Sequence, residues 1–148
     1  MSLVTAAVAL CLIVSVGDGD SLSARCGAEP VQRVRIAAID APELRQAHGV
    51  QARKHLAQLC LRQQARLTAQ GHDKYGRLLA QVSCRGRDAA SEQVVAGLAW
   101  VHPTQARMHP ALARAAVRAR QTKVGLWAQK RPLAPWTYRQ RHPHPTYR

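Results

Sequence analysis

The chain has 148 residues and a mass of 16.2 kDa, the size of one domain with short terminal segments. Hydrophobic residues make up 47% of it, which argues against wholesale disorder, and its net charge of +14 disfavours basic partners and favours a polyanion such as nucleic acid. The chain has only eight acidic residues, and five of them fall in three short segments: DGDS at 18–21, IDAPE at 39–43 and DKYGR at 73–77.

The N-terminal residues 1–16 are apolar and uncharged. This run is shorter than the roughly 20 apolar residues that a membrane span requires, and it lacks the basic start of a signal peptide. We therefore expect no stable membrane span. Residues 1–10 are predicted to be an apolar leader, such as a truncated signal, and residues 11–17 a core strand. An intact but atypical export signal is the alternative.

Five segments have the composition of β-strands, namely 12–16, 21–26, 31–39, 65–70 and 78–84. The first two flank the Asp-Gly-Asp turn at 18–20 as a hairpin, because Asp-Gly is a strong hairpin signal. The last two are separated by the turn-forming sequence GHDKYG at 71–76.

Three segments are typical of α-helices. Residues 49–61 have apolar side chains at helical spacing. A second helix begins at Asp88 or Ser91 and ends near Gly97, and a third runs from Pro110 through alanine-rich turns to Gly125. The order βββ-α-ββ-α-α predicts an α+β fold, a five-stranded OB-type β-barrel with three α-helices, over residues 11–128.

The C-terminal residues 129–148 contain four prolines, five basic residues in the stretch from 130 onward and no acid. This composition predicts an extended C-terminal tail instead of a packed element. Within it, we expect Trp136 to dock against the body and the residues from Arg141 onward to be a solvated terminus.

Four cysteines, Cys11, Cys26, Cys60 and Cys84, lack the CxxC spacing of a zinc site. Cys11 and Cys26 lie opposite one another in the predicted hairpin, which would leave Cys60 to pair with Cys84. Two disulfides would favour a secreted or periplasmic location over a cytoplasmic one. Four buried thiols are the alternative.

Two acidic pairs are candidates for a metal site. Asp18 and Asp20 lie on a tight turn, in which Gly19 is expected to adopt a positive φ. Asp40 and Glu43 follow the third strand. Carboxylates at strand ends of one barrel can converge, and their hard oxygens suit Ca²⁺ or Mg²⁺. The alternative for the first pair is a plain hairpin turn.

Two arginines complete a set suited to phosphodiester hydrolysis. Arg35 lies in the strand that leads to Asp40, and Arg77 follows the turn after Tyr75. A metal and guanidinium groups neutralise charge on phosphate oxygens, and a glutamate accepts the proton of the attacking water. The arginine fork binds two phosphate oxygens at once.

The sequence VRIAAIDAPE followed by DKYGR, with DGDS before it and VVAGLAW and GLW after it, resembles the staphylococcal-nuclease-like (thermonuclease) family over about residues 11–128. The resemblance implies an OB barrel with three helices. It also implies calcium-dependent hydrolysis of phosphodiester bonds in DNA, RNA or both, by a chain expected to be a monomer.

The same resemblance implies a role for individual residues. Those that would bind Ca²⁺ are Asp20, Asp40 and the carbonyl of Ala41, with Asp18 in support. Glu43 resembles the general base, and Arg35 and Arg77 resemble the phosphate-binding arginines. Lys74 and Tyr75 resemble the residues that contact the nucleotide. Trp100 or His102 stands where a base-stacking tyrosine is expected, which leaves base preference open.

Two other functions are compatible with this composition. One is a non-catalytic OB domain that binds nucleic acid, but the persistence of the acidic and arginine residues favours an enzyme. The other is a cationic membrane-active protein, which is disfavoured because the inner face of the third helix is mostly alanine.

Overall fold

The computed structural model describes residues 7–143. The strands are β1 (Val8–Asp18), β2 (Ser21–Arg25), β3 (Gln32–Ile36), β4 (Ile39–Asp40), β5 (Gln64–His72), β6 (Leu78–Cys84), β7 (Arg87–Asp88) and β8 (Trp100–Val101). The helices are α1 (Gly49–Cys60), α2 (Ala89–Val95), α3 (Pro103–Ala106), α4 (Pro110–Thr122) and α5 (Pro135–Arg141), with a 3-10 turn at Gly125–Ala128.

Five strands form a closed barrel in the order β3-β2-β1-β5-β6. Neighbours along this order are antiparallel, and the barrel closes through a parallel pairing of β3 with β6, where Val34 lies opposite Leu78. Alternate side chains of β1, such as Cys11 and Ile13, are fully buried because successive strand residues face opposite sides of a sheet. The predicted α+β fold with a five-stranded OB-type barrel is confirmed.

The third predicted strand is interrupted before it reaches the acidic residues. β3 ends at Ile36, and Ala38 adopts a left-handed conformation with φ 75°. After this turn, the short strand β4 pairs with β8, so that Asp40 lies opposite Trp100. The turn therefore directs Asp40 away from the β3–β6 seam and toward the end of the barrel.

The three predicted helices are present, and each begins or packs as its sequence indicates. α1 buries one face against the barrel through Ala52 and Leu56. Asp88 caps α2, since its side chain accepts a hydrogen bond from the backbone of Ser91. α4 begins at Pro110. Among the described residues, no helix is long and apolar enough to span a membrane.

The two ends of the chain differ from the sequence-based expectations. β1 begins at Val8, inside the segment predicted as a leader, and residues 1–6 lie outside the described part. The extended C-terminal tail is wrong for residues 135–141, which form α5. Pro135 occupies the first turn of α5, where its missing N–H costs nothing, and the next proline is Pro143. Residues 144–148 also lie outside the described part.

The structure contains two disulfides. Cys11 is bonded to Cys26 across the β1–β2 hairpin, and Cys60 at the end of α1 is bonded to Cys84 at the end of β6. This is the pairing expected from the hairpin. The second disulfide links α1 to strand β6 of the barrel.

Candidate active site

A pocket of about 440 Å³ opens at the end of the barrel where the three acidic segments meet. Its lining consists of Asp18, Asp20, Arg35, Asp40, Glu43, Leu44, Arg45, Tyr75, Arg77 and Arg139. Seven of the sequence-predicted site residues are thus brought together. Lys74 is exposed and does not line the pocket, although its Nζ lies 5.2 Å from the centre of the Tyr75 ring.

The β1–β2 turn holds Asp18 and Asp20 in fixed positions. Oδ1 of Asp18 accepts a hydrogen bond from the Ser21 hydroxyl at 2.7 Å and one from the backbone N–H of Asp20 at 3.2 Å. Asp18 therefore shapes the turn that presents Asp20, as a side-chain mimic of a backbone turn.

Gly19 is required for a reason other than the one expected. Its φ is not positive, but a Cβ atom there would lie 2.6 Å from the Cβ of Ala52 and 2.7 Å from that of Ala41. The buried amide of Gln93 also donates hydrogen bonds to the carbonyl oxygens of Gly19 and Ala52. Close approach between the turn, α1 and the segment after β4 therefore selects glycine.

Asp20 is buried and is the most charge-crowded group in the pocket. Its Oδ2 accepts a hydrogen bond from the Ala41 N–H at 2.7 Å and lies 3.4 Å from Nη1 of Arg35. Burial raises the pKa of Asp20 well above its ordinary value, against the opposing charge of Arg35. The negative charges of Asp18 and Asp40 raise that pKa further.

Arg35 links the two acidic segments. Its Nη1 donates to the Ile36 carbonyl at 2.8 Å, and its Nη2 lies 3.6 Å from Oδ1 of Asp40. The position follows from β3, in which Arg35 is displaced by one residue from the buried Val34 and Ile36. The guanidinium consequently faces the pocket while its strand neighbours fill the barrel.

Glu43 lies in a tight loop that rests on the start of α1. Its backbone N–H donates to Oε1 of the buried Gln46, and the N–H of Gly49 donates to the Gln46 carbonyl. A Cβ atom on Gly49 would overlap the carbonyl oxygen of Glu43. Burial raises the pKa of the Glu43 carboxyl above its ordinary value, while a hydrogen bond from Arg139 opposes this shift.

Arg77 is oriented by Asp73, a residue for which no role was predicted. Oδ2 of Asp73 accepts from Nε of Arg77 at 2.7 Å, and Oδ1 accepts from the backbone N–H groups of Tyr75 and Arg77. Partial burial opposes ionisation, but these hydrogen bonds lower the pKa of Asp73. The available sequence signal was the position of Asp73, two residues before Tyr75 and four before Arg77, which is typical of an aspartate that caps a turn.

Arg139 is the second functional candidate that sequence reasoning missed. It lies on α5, and its Nη1 donates to Oε1 of Glu43 at 2.9 Å and to Oδ1 of Asp40 at 3.1 Å. Its Nη2 donates to Oδ2 of Asp40 at 2.7 Å. These contacts raise the pKa of Arg139. The only sequence signal for this helix was the absence of proline between Pro135 and Pro143 in the predicted tail.

The residues present fit a hard divalent cation. Within residues 7–143, no three His, Cys, Asp or Glu side chains form a metal-binding group. The candidate ligands predicted from the sequence are two carboxylates and a carbonyl oxygen. They are Asp20, Asp40 and the carbonyl of Ala41, an all-oxygen set of the kind that Ca²⁺ prefers. Burial and the neighbouring negative charges raise the pKa of Asp20, and a bound cation would favour its ionised form.

The expected base-stacking residues belong to a packed aromatic cluster. Trp100 contacts Trp127 and Trp136 edge to face, with ring centres 4.6 and 5.4 Å apart, and His102 contacts Trp136 at 4.7 Å. As expected, Trp136 docks against the body. Trp100 and His102 are both half-buried in this cluster.

Comparisons with known proteins agree with the geometry. The chain is 35% identical over 129 residues to an uncharacterized endonuclease of Haemophilus influenzae, covering 87% of this chain and 72% of the relative. It is 33% identical to a micrococcal nuclease of Shigella flexneri, covering 86% and 78%. It is also 32% identical to a staphylococcal-like nuclease of Arabidopsis thaliana, covering 72% and 33%.

A family model described as "Staphylococcal nuclease homologue" matches residues 33–129. This region includes Arg35, Asp40, Glu43 and Arg77. The DGDS turn precedes it, but the alignments with the relatives above extend over most of the chain. Family membership identifies a phosphodiester hydrolase with nucleic acid as its substrate class. The chain belongs to the staphylococcal nuclease family.

Proposed function

We propose that this protein is a calcium-dependent nuclease that hydrolyses DNA, RNA or both by attack of a water molecule that Glu43 activates. The observation that supports it best is one pocket in which a half-buried glutamate, three aspartates and four arginines meet. A domain that only binds nucleic acid needs basic residues but has no use for clustered acids, whose repulsion for phosphate weakens binding.

The residues predicted from the sequence have separate roles in this proposal. Asp20, Asp40 and the Ala41 carbonyl would hold Ca²⁺, which would supply positive charge to a phosphate oxygen. Asp18 supports Asp20 through the turn. Arg35 binds the phosphate, since its strand directs the guanidinium into the pocket.

The reaction needs one displacement at phosphorus and two proton transfers, one from the attacking water to Glu43 and one from solvent to the leaving oxygen. Glu43 accepts a proton from water, the water oxygen forms a bond to phosphorus, and the bond from phosphorus to the leaving oxygen breaks. Arg77 stabilises negative charge on the leaving side, in the orientation that Asp73 imposes. Tyr75 and Lys74 contact the nucleotide. Two disulfides further support a secreted or periplasmic location.

The test is cleavage of labelled single-stranded DNA and RNA oligonucleotides by the purified chain, with Ca²⁺ or with a chelator. We expect cleavage with Ca²⁺, none with chelator, and none by Asp40→Asn at the same Ca²⁺ concentration. Cleavage unchanged by the chelator would overturn the calcium assignment. Binding of the oligonucleotides without cleavage under any metal would instead support the non-catalytic OB domain.

A further inference from the structure

Helix α5 places the positively charged side chain of Arg139 between Asp40 and Glu43. The terminal nitrogens of Arg139 make three hydrogen bonds of 2.7 to 3.1 Å to the carboxylates of Asp40 and Glu43. Both oxygens of Asp40 accept hydrogen bonds, and Asp40 lies 99 positions before Arg139 in the sequence. The contact is therefore tertiary and depends on the docking of α5.

The docking of α5 rests on contacts outside the pocket. Pro135 is buried, and the ring of Trp136 packs against Trp100 and His102. Just before the helix, the Leu133 carbonyl accepts a hydrogen bond from the buried amide of Gln46, in the loop that holds Glu43. These contacts fix the helix independently of Arg139. The packing of α5 therefore places Arg139 beside the pocket.

The contacts of Arg139 conflict with the roles proposed for its two partners. An aspartate whose two oxygens both accept hydrogen bonds from one guanidinium has fewer lone pairs for a cation, and a second positive charge beside it repels that cation. A glutamate that accepts a hydrogen bond from the same guanidinium is a weaker proton acceptor. The hydrogen bonds from Arg139 to Asp40 and Glu43 thus have to break before the reaction starts.

We propose that α5 is an autoinhibitory segment, in which Arg139 competes with the divalent cation for Asp40 and restrains Glu43 until the cation displaces it. The inference rests on the proposed function, because it needs Asp40 as a cation ligand. Binding of a cation and departure of the Arg139 guanidinium from Asp40 are then linked, so that weakening either contact strengthens the other.

The chain offers a matched control on the same helix. Arg141 is exposed, so Arg141→Gln removes the same charge from α5 without removing the contacts to Asp40 and Glu43. Trp136→Ala is a complementary variant, since it loosens α5 while leaving the charge of Arg139 in place. Together they separate the loss of a charge, the loss of the contact and the release of the helix.

The experiment is calorimetric titration of the purified full chain and its variants with Ca²⁺ alone, without nucleic acid, after their folding is compared by circular dichroism. We expect Arg139→Gln to bind Ca²⁺ about tenfold more tightly than Arg141→Gln, the scale of one or two charge-assisted hydrogen bonds. Trp136→Ala should also bind more tightly than the wild type. Equal or weaker Ca²⁺ binding by Arg139→Gln than by Arg141→Gln would overturn the proposal.

This outcome is separate from that of the proposed function. If the wild type binds Ca²⁺ and Arg139→Gln binds it more tightly, α5 competes with the cation whether or not oligonucleotides are cleaved. If Arg139→Gln instead loses affinity for an oligonucleotide and gains none for Ca²⁺, Arg139 is a phosphate-binding residue and autoinhibition is wrong.

Discussion

Glu43 is the residue on which the proposed reaction depends most, and its neighbours set the pH at which it can act. Burial raises its pKa, and the hydrogen bond from Arg139 opposes that change. The negative charge of Asp18 raises the pKa further. Since only the ionised carboxylate accepts a proton, activity is lost as the pH falls through this raised pKa.

Two substitutions should therefore move the pKa of Glu43 in opposite directions in the calcium-free protein, in which Arg139 contacts Glu43. Arg139→Gln removes a group that lowers this pKa, so the pKa rises further. Asp18→Asn removes a charge that raises it, so the pKa falls. The measurement is an NMR titration of the Glu43 side-chain carboxyl without Ca²⁺, and two shifts in the same direction would contradict this explanation.

Among single residues, the sequence indicated the acids that line the pocket because the chain has so few acidic residues. Five of the eight acidic residues lie in three segments, which made Asp18, Asp20, Asp40 and Glu43 visible without a structure. Arg139 could not be selected in this way, because it is one of 22 basic residues and its contacts depend on how a distant helix docks.

At the scale of elements, the loop that carries Glu43 is supported by the first residue of α1. Because a Cβ atom on Gly49 would overlap the Glu43 carbonyl, Gly49→Ala must displace the loop. We expect a loss of about 1–3 kcal/mol in the free energy of unfolding, the usual cost of overpacking, together with a fall in kcat.

The matched control is Val50→Ala, at the next and exposed position of the same helix. It should change neither property by much, apart from small effects of helix propensity. Urea denaturation and initial cleavage rates measure the two properties. A fully active and stable Gly49→Ala would show that the loop is free to move away from α1.

Element boundaries were predictable where local periodicity and tertiary structure agree. The strand 78–84 matches β6, and the helix at 49–61 matches α1 to within one residue, because each has an apolar face at the period of its element. α5 was not predicted, because the prediction for the tail relied on its overall proline content. The helix is short and depends on tertiary contacts for its stability.

At the scale of the whole molecule, the net charge of +14 should dominate the affinity for nucleic acid. Binding of an oligonucleotide releases condensed counterions, so the logarithm of the binding constant should fall linearly with the logarithm of salt concentration. Between 50 and 200 mM salt we expect a loss of roughly tenfold or more.

Fluorescence anisotropy with Glu43→Gln measures this binding without cleavage. An uncharged peptide nucleic acid of the same base sequence is the control, because it has no phosphates and should bind weakly at every salt concentration. Salt-independent binding of the DNA oligonucleotide would contradict the electrostatic account.

The most direct test of the central claim is the single-turnover rate at which Glu43→Gln cleaves a labelled single-stranded DNA in saturating Ca²⁺. Glu29→Gln is the control, since it makes the same change at an exposed position. We expect cleavage by Glu43→Gln to be at least about 10²-fold slower than by the wild type, the usual contribution of a general base, with Glu29→Gln unaffected. Cleavage by Glu43→Gln at the wild-type rate would contradict it.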